Sequence, residues 1–342
     1  LAFALTATAA SGGTFIGIPA IAYKSGVSAL WYAFVYPLGC YFGLAVCLRG
    51  IRRAGRNFGT RSMPEYLGDR FDSEALRVCV ALFSMLLMFY LAGQLLSGAI
   101  MFNKMMGIAL LPALIVTAVI VMIYIVIGGA HADILTDGVQ GALMLLLLAV
   151  VVMFFTGFGV DGGLAGLFAN LEAQDPGLVA VLSPTNPILD SWWDVFAIFI
   201  LHVPLGLLPH VGNKLWALKN DRDQLRFIVI SFAFGMLLPA IAIGGLLIAT
   251  LPTWLAALIG AGVLAAIMST ADGLIVSTSQ VFANDIYRRS IAPRLAAKPS
   301  NATIDRVSLR ISRIASVLIV AGSIWLAWTS QTMNVAILIA AG

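Results

Sequence analysis

Apolar residues along this chain gather into long runs separated by short polar stretches. The runs lie at roughly 1–23, 29–48, 76–103, 109–128, 137–157, 192–212, 227–250, 253–284, 312–329 and 332–342. About twenty apolar residues, at about 1.5 Å rise each, cross a hydrocarbon core of about 30 Å. The pattern therefore predicts an all-α polytopic membrane protein with nine complete transmembrane helices and part of a tenth. The chain opens inside one run and stops inside another, so it is read as a fragment of a longer protein. Only Thr250-Leu251-Pro252-Thr253 separates the seventh run from the eighth, either as a tight turn or as the scar of an omitted outer loop.

Two runs differ from the rest. The first reads Ala7-Thr8-Ala9-Ala10-Ser11-Gly12-Gly13-Thr14, followed by Gly17 and Pro19. The sixth reads His202-Val203-Pro204-Leu205-Gly206-Leu207-Leu208-Pro209-His210-Val211-Gly212. Residues that break a helix inside a span free backbone groups, which lipid cannot satisfy and which protein, water or a ligand must. Five spans separate the two interruptions, so the groups of five that begin at each run in opposite directions. That arrangement predicts an inverted-repeat transporter with its site at the midplane. The competing account is that Gly and Pro are simply frequent where membrane helices pack closely.

Composition agrees: 61% of residues are hydrophobic and 11% charged, against about a quarter charged in soluble domains. Every Lys and Arg except Lys24 and Lys104 lies in the groups Arg49–Arg77, Lys214–Arg226 and Arg288–Arg313, all after even-numbered runs. Positive residues collect on the cytoplasmic side. Stretches 49–75, 129–136, 213–226 and 285–311 are therefore predicted to be cytoplasmic and 158–191 an outer loop. A net charge of +4 held in such loops meets anionic lipid and is no sign of nucleic-acid binding. Cys40, Cys47 and Cys79 have no paired spacing and read as small buried hydrophobes.

Polar chemistry concentrates in the eighth run. Ala266, Ser269, Thr270, Gly273, Ser277 and Gln280 follow one another at helical steps and share a face. Two adjacent hydroxyls beside carbonyls from an unwound span suit a hard monovalent cation; interhelical hydrogen bonding explains them equally well. Asp137 is either a functional acid or a helix N-cap, and the two readings are compatible. Asp272, the other intramembrane acid, lies off the main polar face. His131, Asp133 and Asp137 make a poor metal set without Cys or a second His. Tyr90, Gln94 and Gly98 share a face of the third run, where Gln and Tyr suit a small solute and packing across helices explains either one equally well. No Lys or Arg is expected mid-membrane, so an anionic solute would be held by helix N-termini and amides. His210 is expected to bond freed carbonyls.

Taken together, these residues resemble the sodium:solute symporter family, which has a LeuT-type inverted repeat of five plus five helices. The most specific stretches are Ala265 through Asp272 with Asp285-Ile286-Tyr287, and Ile127-Gly128-Gly129 through Thr136-Asp137-Gly138-Val139-Gln140. Phe15 through Pro19, Met63-Pro64-Glu65-Tyr66-Leu67 and Pro209-His210 support them. The resemblance implies one transporter domain over 1–342, with a first repeat to about 157 and a second from about 192. It implies a sodium site made by Ala7, Ala10, Ala266, Ser269 and Thr270. It further implies that Asp137, with Asp272, supports coupling or a second ion. Solute would lie between the first, third and sixth segments, near Ser11, Gly12, Gly13, Thr14, Tyr90, Gln94, Leu205 and Gly206. Several members carry an acid in the first helix where this chain has Ala9. The first helix and the stretch from Gly162 to His210 look most like pantothenate-type members, which suggests a small carboxylate solute.

The function so implied is sodium-driven import of a small organic solute across the plasma membrane, with sodium as coupling ion and no other cofactor. The expected partners are the solute, sodium and the lipid bilayer. The rival reading is a transporter-like sensor whose output module lies C-terminal to this chain. A membrane enzyme using His131, Asp133 and Asp137 is the remotest alternative.

Overall fold

The structure is a computed structural model that describes residues 1–60, 62–153, 161–183, 185, 186, 188–212, 214, 215, 218, 220–237, 253–295 and 299–331. The end of the seventh run, the Thr250–Pro252 join, the tenth run, and Arg61, Lys219 and Lys298 lie outside the described residues. Every regular element described is helical: α1 (Ala2–Ala9), α2 (Ile18–Ser25), α3 (Ala29–Phe58), α4 (Met63–Arg70), α5 (Glu74–Phe83), α6 (Leu87–Met106), α7 (Leu110–Met153), α8 (Gly163–Gln174), α9 (Trp192–His202), α10 (Pro209–Gly212), α11 (Asp221–Gly235), α12 (Thr253–Gln280) and α13 (Asn301–Thr329). Helix ends carry the side chains that free amides need. Ser62, Ser73, Asn220 and Ser300 accept from amides at the starts of α4, α5, α11 and α13, and Ser191 with Asp194 forms a capping box on α9.

Five stretches among the described residues are long and apolar enough to cross a membrane. That is fewer than the runs predicted, partly because some are joined. The 44 residues of α7 hold both the fourth run and the fifth; a straight helix of that length would reach about 66 Å, twice the hydrocarbon core. The chain turns instead at Gly129, whose φ of 54° and ψ of −141° leave the helical region. Residues 129–136 are thus no open loop: the helix restarts directly after the glycine pair, and Asp133 and Asp137 are both buried. Asp137 stands two turns inside the helix, so it is not an N-cap.

Burial places the centre. Of the five spans, Ala257–Arg294 has 78% of its most apolar window buried, while the others have 33–50%. α12 accordingly packs against α7, α6, α1 and α13 at once. The sixth run lies against α3 through glycines. A Cβ on Gly43 would stand 2.0 Å from the Val203 carbonyl oxygen, one on Gly39 2.4 Å from that of Phe199, and one on Gly206 2.2 Å from that of Cys40. Small residues four apart allow this backbone approach. Gly43→Leu is expected to push the sixth run off α3, costing about 1–3 kcal/mol or more, read as a lower unfolding midpoint in detergent. An unchanged midpoint would show that this approach is unimportant. The cysteines only partly match expectation: Cys40 is buried, Cys47 intermediate and Cys79 exposed, because α5 turns that face outward.

Candidate ion and solute site

The interruption of the first run can be followed amide by amide. In an unbroken helix the amides of Ser11, Gly12 and Gly13 would cap the carbonyls of Ala7, Thr8 and Ala9. Here Ser11 N–H donates to Thr14 Oγ1 (3.2 Å), Gly12 N–H to Gln94 Oε1 (2.9 Å) and Gly13 N–H to Ser11 Oγ (3.1 Å). Ser and Thr side chains that compete for backbone groups, next to two glycines of low helix propensity, explain why the helix stops at Ala9. Gly12 is also required by space, since a Cβ there would meet Gln94 Oε1 at 3.0 Å and Ser97 at 3.1 Å. The sixth run breaks too. α9 ends at His202, Pro204–Leu207 forms a 3₁₀ turn, and α10 begins at Pro209.

The freed carbonyls meet the hydroxyl pair of α12. Ser269 Oγ donates to Ala7 O (2.9 Å) and to Ala266 O (3.0 Å), while Thr270 Oγ1 donates to Thr8 O (3.0 Å) and to Ala266 O (3.1 Å). Ser269, Thr270, Ala7, Thr8 and Ala266 are all buried. Thr8 O thus joins the carbonyls that the resemblance named. The Ala10 residue packs in the same apolar cluster as Ala7 and Ala266, and no bond from it to the hydroxyl pair is found among the described contacts. Five neutral oxygens with no nitrogen or sulfur among them fit a hard monovalent cation such as sodium.

One turn away lies a charged cluster. Lys214, just past α10, is buried and its Nζ lies 2.5 Å from Asp137 Oδ2 and 3.6 Å from Asp133 Oδ2. It also donates to the Thr8 hydroxyl, which in turn lies 2.7 Å from Asp137 Oδ2. Asp272 completes the group: carboxylate oxygens of Asp133, Asp137 and Asp272 come within 4.8 Å of one another. Tyr124 donates to Asp272 at 2.9 Å and Gly273 N–H at 2.7 Å. Gly273 lets the walls converge, since a Cβ there would meet Thr8 at 3.3 Å, His210 at 3.6 Å and Asp133 at 3.7 Å. Two expectations are corrected here. Lys214 is no loop charge, and it puts a basic residue inside the bundle where none was predicted. His131 stays exposed and outside the cluster.

On the other side of the break, Tyr90 and Gln94 are buried and Tyr90 faces Ser11. The bond from Gly12 N–H assigns the carbonyl end of Gln94, and its buried Nε2 has no partner among the described residues. Thr14 and Tyr36 share a hydroxyl hydrogen bond of 2.9 Å. Ser11, Gly12, Gly13, Thr14, Tyr90 and Gln94 are therefore gathered around the break. Gly206 backs onto the Cys40 carbonyl of α3. His210 also departs from expectation. Its ring meets Tyr90 edge to face with centroids 5.6 Å apart, and its Nδ1 bonds nothing described. The carbonyl-bonded histidine is His202, whose Nδ1 lies 2.6 Å from Ile198 O.

Known proteins are similar to this chain over most of its length. The sodium/pantothenate symporter of Haemophilus influenzae is 27% identical over 94% of this chain and 69% of its own length. That of Escherichia coli is 25% identical over 97% and 71%. The osmoregulated proline transporter OpuE of Bacillus subtilis is 27% identical over 92% and 69%. A solved structure of a Na+-coupled sialic acid symporter, in a substrate-bound outward-open state, superposes with a TM-score of 0.73. It is 22% identical and covers 96% of this chain and 74% of that one, a likeness of fold. The family model described as "Sodium:solute symporter family" matches residues 1–249 and 236–341. With the match running from end to end, this chain belongs to the sodium:solute symporter family, a family of membrane transporters rather than enzymes.

Proposed function

We propose that this chain is a sodium-coupled secondary active symporter of the plasma membrane that imports a small organic carboxylate by alternating access. The observation that carries this reading is the meeting of the freed carbonyls of Ala7 and Thr8 with Ser269 and Thr270. In this reading sodium is the cargo that enters between those oxygens, the two hydroxyls turning their protons aside and their lone pairs toward it. It bridges the broken first segment to α12, with Ala266 O as a shared ligand and Ala10 close by. Asp137 and Asp272 support coupling from the neighbouring cluster. Rocking of one bundle against the other around the broken segments then exposes the break to either side. A membrane potential of 100 mV adds about 2.3 kcal/mol for each charge moved inward.

Solute contacts come from the other face of the break. Gln94 Nε2 offers an unused donor that a carboxylate oxygen accepts, with Ser11, Gly13, Thr14 and Tyr90 around it. The names of the relatives support a carboxylate, because pantothenate and proline both carry one. The test is uptake of pantothenate, proline and lactate into proteoliposomes, with and without an inward sodium gradient. Gradient-driven uptake of one of them is expected; identical uptake in the absence of sodium contradicts the reading. Gln94→Leu is expected to raise the solute concentration for half-maximal uptake about tenfold to a hundredfold, the worth of a buried hydrogen bond to a charged group. Its effect on sodium should be smaller. An unchanged solute dependence removes Gln94 from the site.

A further inference from the structure

The position of Lys214 has a consequence for how many ions the protein binds. Its ammonium lies against Asp137 Oδ2 at 2.5 Å and Asp133 Oδ2 at 3.6 Å, fully buried, with the Thr8 hydroxyl as a further acceptor. Those oxygens are the ones that a free cation beside Asp137 would use. We propose that Lys214 is the resident cation of the Asp137 carboxylate, so that each chain binds a single sodium ion, at Ser269 and Thr270.

Charge keeps a second sodium ion away from the Asp137 carboxylate. An ammonium and a sodium ion about 4 Å apart repel each other enough, at the effective dielectric of a protein, to weaken joint occupancy roughly a thousandfold. Connectivity gives the tethered charge a task that a bound ion would otherwise perform. Thr8 carries both networks: its hydroxyl meets Lys214 and Asp137, and its carbonyl accepts from Thr270. Lys214 is therefore a positioning residue that holds the Thr8 carbonyl against the sodium site from behind. Asp272 is served by neutral donors, Tyr124 and the Gly273 amide, and does not need the ammonium. Without Lys214, three carboxylates within 4.8 Å of one another would face no cation among the described residues. Such a cluster recruits one from solution.

The inference rests on the sodium site proposed above, and counting bound radioactive sodium per purified chain in detergent, with no solute present, separates the two. One ion per wild-type chain is expected. Two ions would overturn the inference while leaving the Ser269–Thr270 site standing, and none would remove that site and the inference together. Lys214→Gln should gain a second ion, and Lys214→Gln with Asp137→Asn should lose it again. A Lys214→Gln protein that folds and still binds one ion also overturns the proposal. If the single variant does not fold, the wild-type count decides alone.

Discussion

Ser269→Ala combined with Thr270→Val is expected to abolish uptake at ordinary sodium concentrations. Each hydroxyl supplies one oxygen to the junction between α12 and the broken first segment. Losing a buried polar partner costs about 1–3 kcal/mol, so losing two raises the sodium concentration for half-maximal uptake by about a hundredfold or more. Ser277→Ala is the matched control. It lies on the same face of α12 and is buried, but among the described residues its hydroxyl bonds only the Leu274 carbonyl of its own helix. Sodium dependence measured in proteoliposomes should move for the first pair and not for the control. Equal effects would mean that the polar stripe merely holds helices together.

Asp137→Ala carries the largest expected effect on stability. It leaves the buried Lys214 ammonium with Asp133, 3.6 Å away, as its nearest counter-charge and Asp272 in the same cluster. Stranding a buried charge costs about 3–5 kcal/mol, and Asp133 puts this case toward the lower end. The Thr8 hydroxyl loses a partner in the same step. Asp137→Ala with Lys214→Met removes both charges of the pair and should recover part of the loss, since apolar replacement of a buried ion pair is often tolerated, while Asp133 is left without its ammonium. Unfolding midpoints of the single and double variants in detergent give the coupling directly. A single variant as stable as the wild type would show that the pair is not held as the geometry implies.

Much of this was legible along the chain because it is local. The Gly12-Gly13 pair between Ser11 and Thr14, the prolines of the sixth run and the helical spacing of Ser269 and Thr270 are all short-range patterns. The backbone follows them. Lys214 was not legible in that way. Directly after an apolar run, a lysine looks like an inner-loop charge, and only the break between His202 and Pro209 turns it back beneath Thr8. A signal did exist: Asp133 and Asp137 lie four apart on one helical face of an apolar stretch, and two acids there call for a basic partner. The extent of the loop after the fourth run was misjudged because a single glycine, Gly129, makes the whole turn. Thr8 was not legible because its hydroxyl and its carbonyl find their partners, Asp137, Lys214 and Thr270, far along the chain. The approach of α3 to the sixth run was present in the sequence as Gly39 and Gly43, four apart, a small-residue signature of close packing.

A high-resolution structure of the protein determined in sodium chloride, paired with one in choline chloride, tests the central claim most directly. Density for an ion touching the oxygens of Ala7, Thr8, Ala266, Ser269 and Thr270, present in the first and lost in the second, is the predicted result. An ion bound elsewhere, or hydroxyls that keep donating to those carbonyls at saturating sodium, would contradict it.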